Sequence, residues 1–405
     1  MKVNVKGHLR DLLAFRGLVP KRKKRFARSS AQPLGLDPVN VLAQQLHPES
    51  QSLVIQEVKE ETATTRTFKL GIAPGSGVGR LAYFRAGQYL SLKVEAGGVG
   101  ITRPYSIASA PYESLGSDGT YQITMKKVEG GFLTPYAWDH WGVGTEITSS
   151  GPAGTFYHEP MRDARTIVGL AGGSGITPFR SIAREIVYGD LDAELLLLYG
   201  SSDEDDIVFY EELKDLEASA PGKIKVVHVL SCEEVTLAGC EQGFITADTI
   251  GKYADVDHSS FFLCGPQAMY EFVEKELAAL NLPRRRIRRE VYGAVKDVTQ
   301  APGFPLELAG ETFQVTVHIG GLTIQMPAKA VETVLVALER ANLAPPSQCR
   351  SGECGFCRSL LMSGDVYIQP DSDGRRAADK RLGYIHPCAS YPLADLELAI
   401  ARGSW

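Results

Sequence analysis

Nowhere in these 405 residues does an apolar run reach the ~18 positions that a membrane-crossing helix needs. The best apolar run near the start, LLAF at 12–15, stops at Arg16 and is too short for the core of a secretory signal, so a cytoplasmic protein is expected. Charge of one sign is scarce as well: 43 Lys/Arg stand against 48 Asp/Glu, a net charge of −5. With no basic stripe interleaved with aromatics, nucleic acid is not an expected partner. There is no internal repeat, no low-complexity tract, no H-E-x-x-H and no Ser/His/Asp nucleophile pattern. Seven cysteines, an odd number in a long chain, argue against a secreted disulfide framework. At 44% hydrophobic and 22% charged residues, the composition is that of a globular chain. Its length suits two to four domains at ~100–200 residues each.

The charge that is present is unevenly placed. Residues 1–30 hold ten Lys/Arg and one acid, Asp11, and so carry +9, leaving −14 on the other 375. In the basic extension 1–48, HLRDLLAFRGLV has the spacing of a short amphipathic helix, and KRKKR (21–25) follows Pro20. Two readings stay open: a solvated tail, or a docking arm for an acidic partner or an anionic membrane surface.

From 49 to 160, short alternating runs (SLVIQEV, TTRTFKLGI, YLSLKV, YQITMKKV, TEITSS) separated by Gly-rich breaks predict an antiparallel β-barrel. From 161 to 293, apolar runs of buried-strand type (TIVGLA, AELLLLYG, KIKVVHVL, SSFFLCG) alternate with helical segments (FRSIAREIVY, AMYEFVEKELAAL), the rhythm of a parallel α/β sheet. A Gly/Pro-containing linker at 294–312, with Pro302 and Pro305, leads to 313–405. That last segment opens with two strands (FQVTVHI, LTIQMP) and a helix (VETVLVALERANL).

The last segment also holds Cys349, Cys354, Cys357 and Cys388. The first three read C-x4-C-x2-C, and the fourth follows after thirty intervening residues, the arrangement of a plant-type [2Fe–2S] ferredoxin. Four such thiolates hold two irons and two sulfides, a group that carries one electron at a time. Gly352 and Gly355 let backbone N–H groups turn toward the sulfurs and tune the reduction potential. Structural zinc is the competing reading of four thiols, and this spacing fits it poorly. His318 and His386 lie nearby, but a Rieske centre would need two His in place of two Cys.

Two motifs stand in the barrel segment: Arg103-Pro104-Tyr105-Ser106, preceded by Ala86-Gly87-Gln88-Tyr89, and Gly130-Gly131-Phe132-Leu133-Thr134. In this order they resemble the flavin-binding pair of the ferredoxin–NADP reductase superfamily. By that resemblance Arg103 and Ser106 bind flavin phosphate and Tyr105 stacks on the isoalloxazine ring. Thr134 and the amides around Gly131, Phe132 and Leu133 hold the pyrophosphate. A guanidinium grips phosphate bidentately, and glycine lets amides approach it closely.

In the α/β segment, Gly172-Gly173-Ser174-Gly175-Ile176-Thr177-Pro178 follows a strand and opens a helix, a place where amides and the helix dipole favour phosphate. It lacks the G-x-G-x-x-G spacing but resembles the GGxGxTP segment of the same superfamily. Cys264-Gly265-Pro266 resembles its CGP segment beside the nicotinamide, and Glu290 its acidic residue near the flavin. Cys264 has a plainer reading as a small buried hydrophobe. After AELLLLYG, which ends in Gly200, comes Ser201-Ser202-Asp203-Glu204-Asp205-Asp206. Neither this loop nor Ser231-Cys232-Glu233-Glu234 holds a cation for a 2′-phosphate, which favours NADH over NADPH. The arginines at 284, 285, 286, 288 and 289 are expected to cap the end of helix 268–280 and solvate the turn before the next strand; binding an acidic partner or the dinucleotide is the alternative.

The resemblance spans roughly 50–400. It implies three folds: the flavin barrel, the α/β nucleotide domain, and an α+β β-grasp ferredoxin. It also implies FAD, although an FMN-using branch shares this domain order. The expected enzyme takes electrons from NAD(P)H through flavin and the cluster to an acceptor protein, with Cys264, Glu290 and Tyr105 at the reacting centre. An oxygenase component is the leading acceptor. An oxygen-independent reductase or a corrinoid or hybrid-cluster enzyme is an alternative, and an NADH-responsive redox sensor a second. Residues 313–405 hold nine Lys/Arg and nine Asp/Glu, so no large acidic field steers the partner.

Overall fold

The computed structural model describes residues 9–29, 35, 37–77, 79–232, 236–295, 297–343, 346–370 and 373–400. Residues 1–45 and 46–405 form two separate units. In the first, α1 (Leu9–Arg28) runs straight through Pro20 and takes in KRKKR, a longer helix than the sequence suggested. Lys and Arg are good helix formers, and Arg25 and Arg28 in the last turn suit the negative end of its dipole. The helix α2 (Pro38–Leu46) follows.

The barrel segment makes one six-stranded antiparallel sheet: β1 (Gln51–Thr62), β2 (Thr65–Ile72), β3 (Tyr89–Ala96), β4 (Val99–Ser106), β5 (Tyr121–Lys126) and β6 (Glu146–Ser149), with α3 (Leu133–His140) before β6. The order is β4-β3-β6-β1-β2-β5. Alternation drives it: Leu53, Ile55, Phe68, Leu70, Leu90 and Leu92 all turn into one core. The strand β4 was not anticipated, because Pro104 disguises it. It lies at the sheet edge, where a missing N–H costs little.

The next sheet is parallel. Its strands are β7 (Thr166–Gly172), β8 (Glu194–Ser201), β9 (Ile224–Leu230), β10 (Glu241–Gln242), β11 (Ser259–Cys264) and β12 (Ile287–Glu290). They lie in the order β10-β9-β8-β7-β11-β12. The helices α4 (Thr177–Tyr188), α5 (Tyr210–Ser219), α6 (Ala247–Tyr253) and α7 (Gln267–Ala279) connect them. Cores lie on both faces, one around Phe179 and Leu197, the other around Phe261 and Val273, so the strands read as continuous apolar runs.

Residues 294–312 do not hang free. Val298, Ala301 and Phe304 join Ala330, Tyr367 and Tyr391 in a small core. The strands of the last sheet are β13 (Thr312–Ile319), β14 (Leu322–Lys329), β15 (Ser359–Ser363), β17 (Tyr384–Ile385) and β19 (Leu396–Ile400); β16 (Val366–Tyr367) and β18 (Tyr391–Pro392) pair separately. The sheet runs in the order β14-β13-β19-β15-β17. The helix α8 (Val334–Arg340) packs on it and is shorter than the predicted helical segment. The Thr333 side chain caps its start, accepting from Val336 N at 3.3 Å, and Asn342 in the left-handed region follows its end. The short helix α9 (Ala377–Arg381) follows the cluster loop. Among the described residues no helix is long and apolar enough to cross a membrane.

Candidate functional site

The strand β4 pairs with β3 so that Arg103 stands opposite Leu92 and Tyr105 opposite Leu90. Arg103 Nη1 donates to the Thr102 carbonyl at 2.8 Å. Ser106 Oγ lies 2.7 Å from the Tyr292 hydroxyl, tying the end of β4 to the segment after β12. Across the molecule, β7 ends at Gly172, and a tight turn over Gly173–Ile176 leads into α4. A Cβ on Gly175 would fall 2.2 Å from the Cys264 carbonyl oxygen, so only glycine lets this turn close on Cys264, Gly265 and Pro266. Gly173 adopts φ +49, and Thr177 Oγ1 donates to the Ser174 carbonyl at 3.1 Å.

These parts surround one cavity of about 1170 Å³. The barrel contributes Arg103, Pro104, Tyr105, Ser106 and Thr134. The parallel sheet contributes Gly172, Gly173, Gly175, Thr177, Gly200, Ser201, Cys264, Gly265 and Pro266, all from the carboxyl ends of its strands or the loops beyond. The third domain contributes Arg350 and Cys388. A space this large, with a guanidinium at one part and a Gly-rich helix start at another, fits a flavin and a dinucleotide.

Some expected residues stand outside the lining: Gly131, Phe132, Leu133, Pro178, Glu290, Cys349, Cys354 and Cys357. Leu133 is core and Phe132 is exposed. Thr134 Oγ1 accepts from Val128 N at 3.0 Å, which folds the Gly130–Gly131 turn back on β5's exit. Glu290 is paired in register with Cys264 and buried. Its carboxyl faces Gly154 and the Tyr89 ring. Burial, then Glu353 and Cys349, push its pKa well up. Burial, then Glu290, push up the Cys264 thiol, which is a neutral S–H.

The four cluster cysteines come together. Cys357 and Cys388 have sulfurs 3.4 Å apart, and Cys349 and Cys354 are close enough to perturb each other's titration. Backbone amides point at the sulfurs: Gly352 N at 3.2 Å from Cys388, Cys354 N at 3.4 Å from Cys349, Phe356 N at 3.4 Å from Cys354. Gly352 at φ +84 and Gly355 at φ +71 make that turn possible. Two thiol pairs ringed by N–H donors fit a two-iron cluster.

Several site residues escaped the sequence reading. Tyr292 lines the cavity and stands edge-on to Tyr89; its position two residues after Glu290 was the only signal. Lys126 reaches across from β5 to Asp206 at 2.7 and 2.6 Å. Glu204 accepts from Thr236 and Leu237. Asp203 Oδ1 in turn accepts from Asp206 N at 3.0 Å, so three of the four loop acids are engaged within the protein. Glu233 and Glu234 lie outside the described residues. Three of the five clustered arginines are engaged away from the end of α7. Arg286 donates to the Ser259 carbonyl at 2.7 Å, Arg288 pairs with buried Asp163 at 2.6 Å, and Arg289 pairs with Glu274. Arg288 and Arg289 lie on the strand β12, where successive side chains take opposite faces, and so they reach different partners.

Three domain families match in succession: an oxidoreductase FAD-binding domain over 52–158, an oxidoreductase NAD-binding domain over 170–275, and a 2Fe-2S iron-sulfur cluster binding domain over 317–393. The ferredoxin reductase component of 3-ketosteroid-9-alpha-monooxygenase from Rhodococcus rhodochrous is 29% identical over 350 residues, 85% of this chain and 94% of that protein. The glycine betaine monooxygenase reductase of Pseudomonas aeruginosa is 26% identical over 332 residues, 78% of this chain and 87% of that one. Among solved structures, phthalate dioxygenase reductase superposes with a TM-score of 0.61 at 24% identity, covering 87% of this chain and 98% of that one, a likeness of fold. The order of the three domains and the cavity they share make this chain an NAD- and FAD-binding oxidoreductase of the ferredoxin–NADP reductase superfamily, with a C-terminal [2Fe–2S] ferredoxin domain.

Proposed function

We propose that the chain draws electrons from NADH and delivers them singly to a separate oxygenase component. FAD, when bound, accepts electrons as a pair and releases them one at a time, and the cluster carries one. The chain's own residues bind, align and shield these groups. Arg103 and Ser106, with Thr134 and the amides at Gly131, Phe132 and Leu133, hold the flavin phosphates, and Pro104 and Tyr105 position the ring. The turn through Gly172, Gly173 and Gly175 into Thr177 and Pro178 takes the dinucleotide pyrophosphate, with Gly200 and Ser201 beside its ribose. Cys264, Gly265 and Pro266 wall the nicotinamide pocket, backed by Glu290. Cys349, Cys354, Cys357 and Cys388 hold the irons.

The single observation that carries this reading is the shared cavity, to which the flavin motif, the nucleotide turn and Cys388 all contribute. A thiolate-held cluster suits the reducing cytoplasm, where we place the protein. The relatives' names, reductase parts of two monooxygenases, support an oxygenase as acceptor. The basic helix α1 is a docking arm for an anionic surface. Anaerobic affinity capture from the host's lysate, with excess NADH at low salt, tests the acceptor. Retention of a metal-dependent oxygenase is expected; retention of an oxygen-independent reductase or a corrinoid protein would overturn that assignment.

A further inference from the structure

A buried carboxylate of the ferredoxin domain sits between two guanidiniums, one of them from the flavin domain. Glu339, on α8, is only 5% exposed. It takes both oxygens to Arg350, whose Nη2 donates at 3.0 Å to Oε2 and whose Nη1 bonds Oε1. Arg350 follows the first cluster cysteine, is 7% exposed, and holds φ +58, a strained choice for a non-glycine residue. On the other side, Arg103 of β4 approaches the same Oε1 at 3.6 Å. Glu339 is already satisfied by a bidentate partner, so this second approach is too long for a good charge-assisted bond. The result is two positive groups and one negative group in a partly desolvated place, with Arg103 and Arg350 both lining the cavity. Burial and the nearby Arg350 lower the Arg103 pKa, and Glu339 only partly offsets them. One anion supplied from the cavity would complete the set, because a guanidinium has five donors and Arg103 gives one of them to Thr102.

We propose that Arg350, aligned by Glu339, joins Arg103 in holding the flavin phosphate, so that flavin binding and the docking of the ferredoxin domain are a single linked event. Glu339 is the positioning residue: it fixes Arg350 and sets the distance between two positive groups that would otherwise repel. The inference rests on the flavin reading of Arg103 given above and extends it to residues of another domain. Linkage follows thermodynamically, since a ligand gripped from both sides of a seam stabilises the closed seam by the difference between its affinities for the closed and open states.

The test uses the full chain with its cluster intact and its flavin removed, with amide hydrogen exchange followed at α8 and at Ser351 and Gly352. FAD, FMN and riboflavin are added in turn, each to saturation. The expected result is that FAD and FMN slow exchange at these amides about tenfold or more, while riboflavin, which has the ring but no phosphate, does not. Equal slowing by riboflavin, or no change with any flavin, would overturn the proposal. Arg103→Gln separates this failure from failure of the flavin site itself. If FAD binds that variant as it binds the unaltered chain, the reading of Arg103 is wrong. If FAD binding weakens but α8 in the unaltered chain never responds, only the link to the ferredoxin domain is lost.

Discussion

The flavin barrel meets its two neighbours through seams of opposite character. Toward the nucleotide domain the contacts are many, direct and largely independent of ligand. Arg180, 7% exposed at its side chain, donates to the Ala108 carbonyl at 2.9 Å and to Gln122 at 3.0 Å, and pairs with Glu212 at 2.9 Å. Ser181 donates to the Ser109 carbonyl at 2.6 Å, and Arg184 bridges Glu113 and Glu212. Toward the ferredoxin domain the side chain of Arg103 approaches a carboxylate that Arg350 has already claimed. Backbone carbonyls that stay paired whatever is bound make a fixed seam. A charge set one anion short makes a seam that awaits its ligand. The difference matches the two tasks. Nicotinamide and flavin must be held in one geometry, while the domain that passes electrons outward has reason to sense whether the flavin is in place.

Breaking the fixed seam has the largest expected effect on stability. Arg180→Ala removes one of the two arginines on Glu212, leaving Arg184, and takes the donor from two acceptors in the interface; it should cost about 2 kcal/mol or more of unfolding free energy in urea titration. A loss under about 0.5 kcal/mol would show the seam is not held this way.

Acid should loosen the same seam more gently. Burial raises the Glu212 pKa, but Arg180 and Arg184 beside it outweigh that and hold it below its ordinary value. A depressed carboxylate contributes stability in full above its unfolded pKa of ~4.3 and loses it as pH falls through the lower folded value. The stability gap between the unaltered chain and Glu212→Gln should therefore shrink between about pH 5 and pH 3. A gap that widens in acid would contradict the pairing. The smallest effect belongs to the arm: deleting residues 1–30, with their +9 charge, should weaken acceptor binding and flatten its salt dependence. Unchanged binding would return it to a solvated tail.

What was legible in the sequence was whatever short-range chemistry encodes. Cys349, Cys354 and Cys357, the glycine-rich turn and Arg103-Pro104-Tyr105-Ser106 each sit within a few residues, because each is one short stretch of backbone. Alternating and continuous apolar runs separated the antiparallel from the parallel sheet. The seams were not legible. Arg180 with Ala108, Lys126 with Asp206, and Arg103 with Glu339 join positions 72 or more residues apart, and nothing local marks a partner that only folding brings near. Glu290 is instructive: Cys264 and Tyr292 line the cavity, while its own buried carboxyl lies beside Gly154 and Tyr89, a placement that only the folded chain reveals. Pro104 hid a strand and Pro20 failed to end a helix, since edge position and flanking helix formers override the local rule.

The most direct measurement is anaerobic rapid mixing of NADH with the holoenzyme and with Cys349→Ser, following flavin bleaching and reduction of ferricytochrome c in parallel. If electrons travel from NADH through flavin to the cluster and then outward, the variant bleaches its flavin at close to the unaltered rate and reduces cytochrome c at least about a hundredfold more slowly. Equal loss of both, or retention of both, would contradict that order.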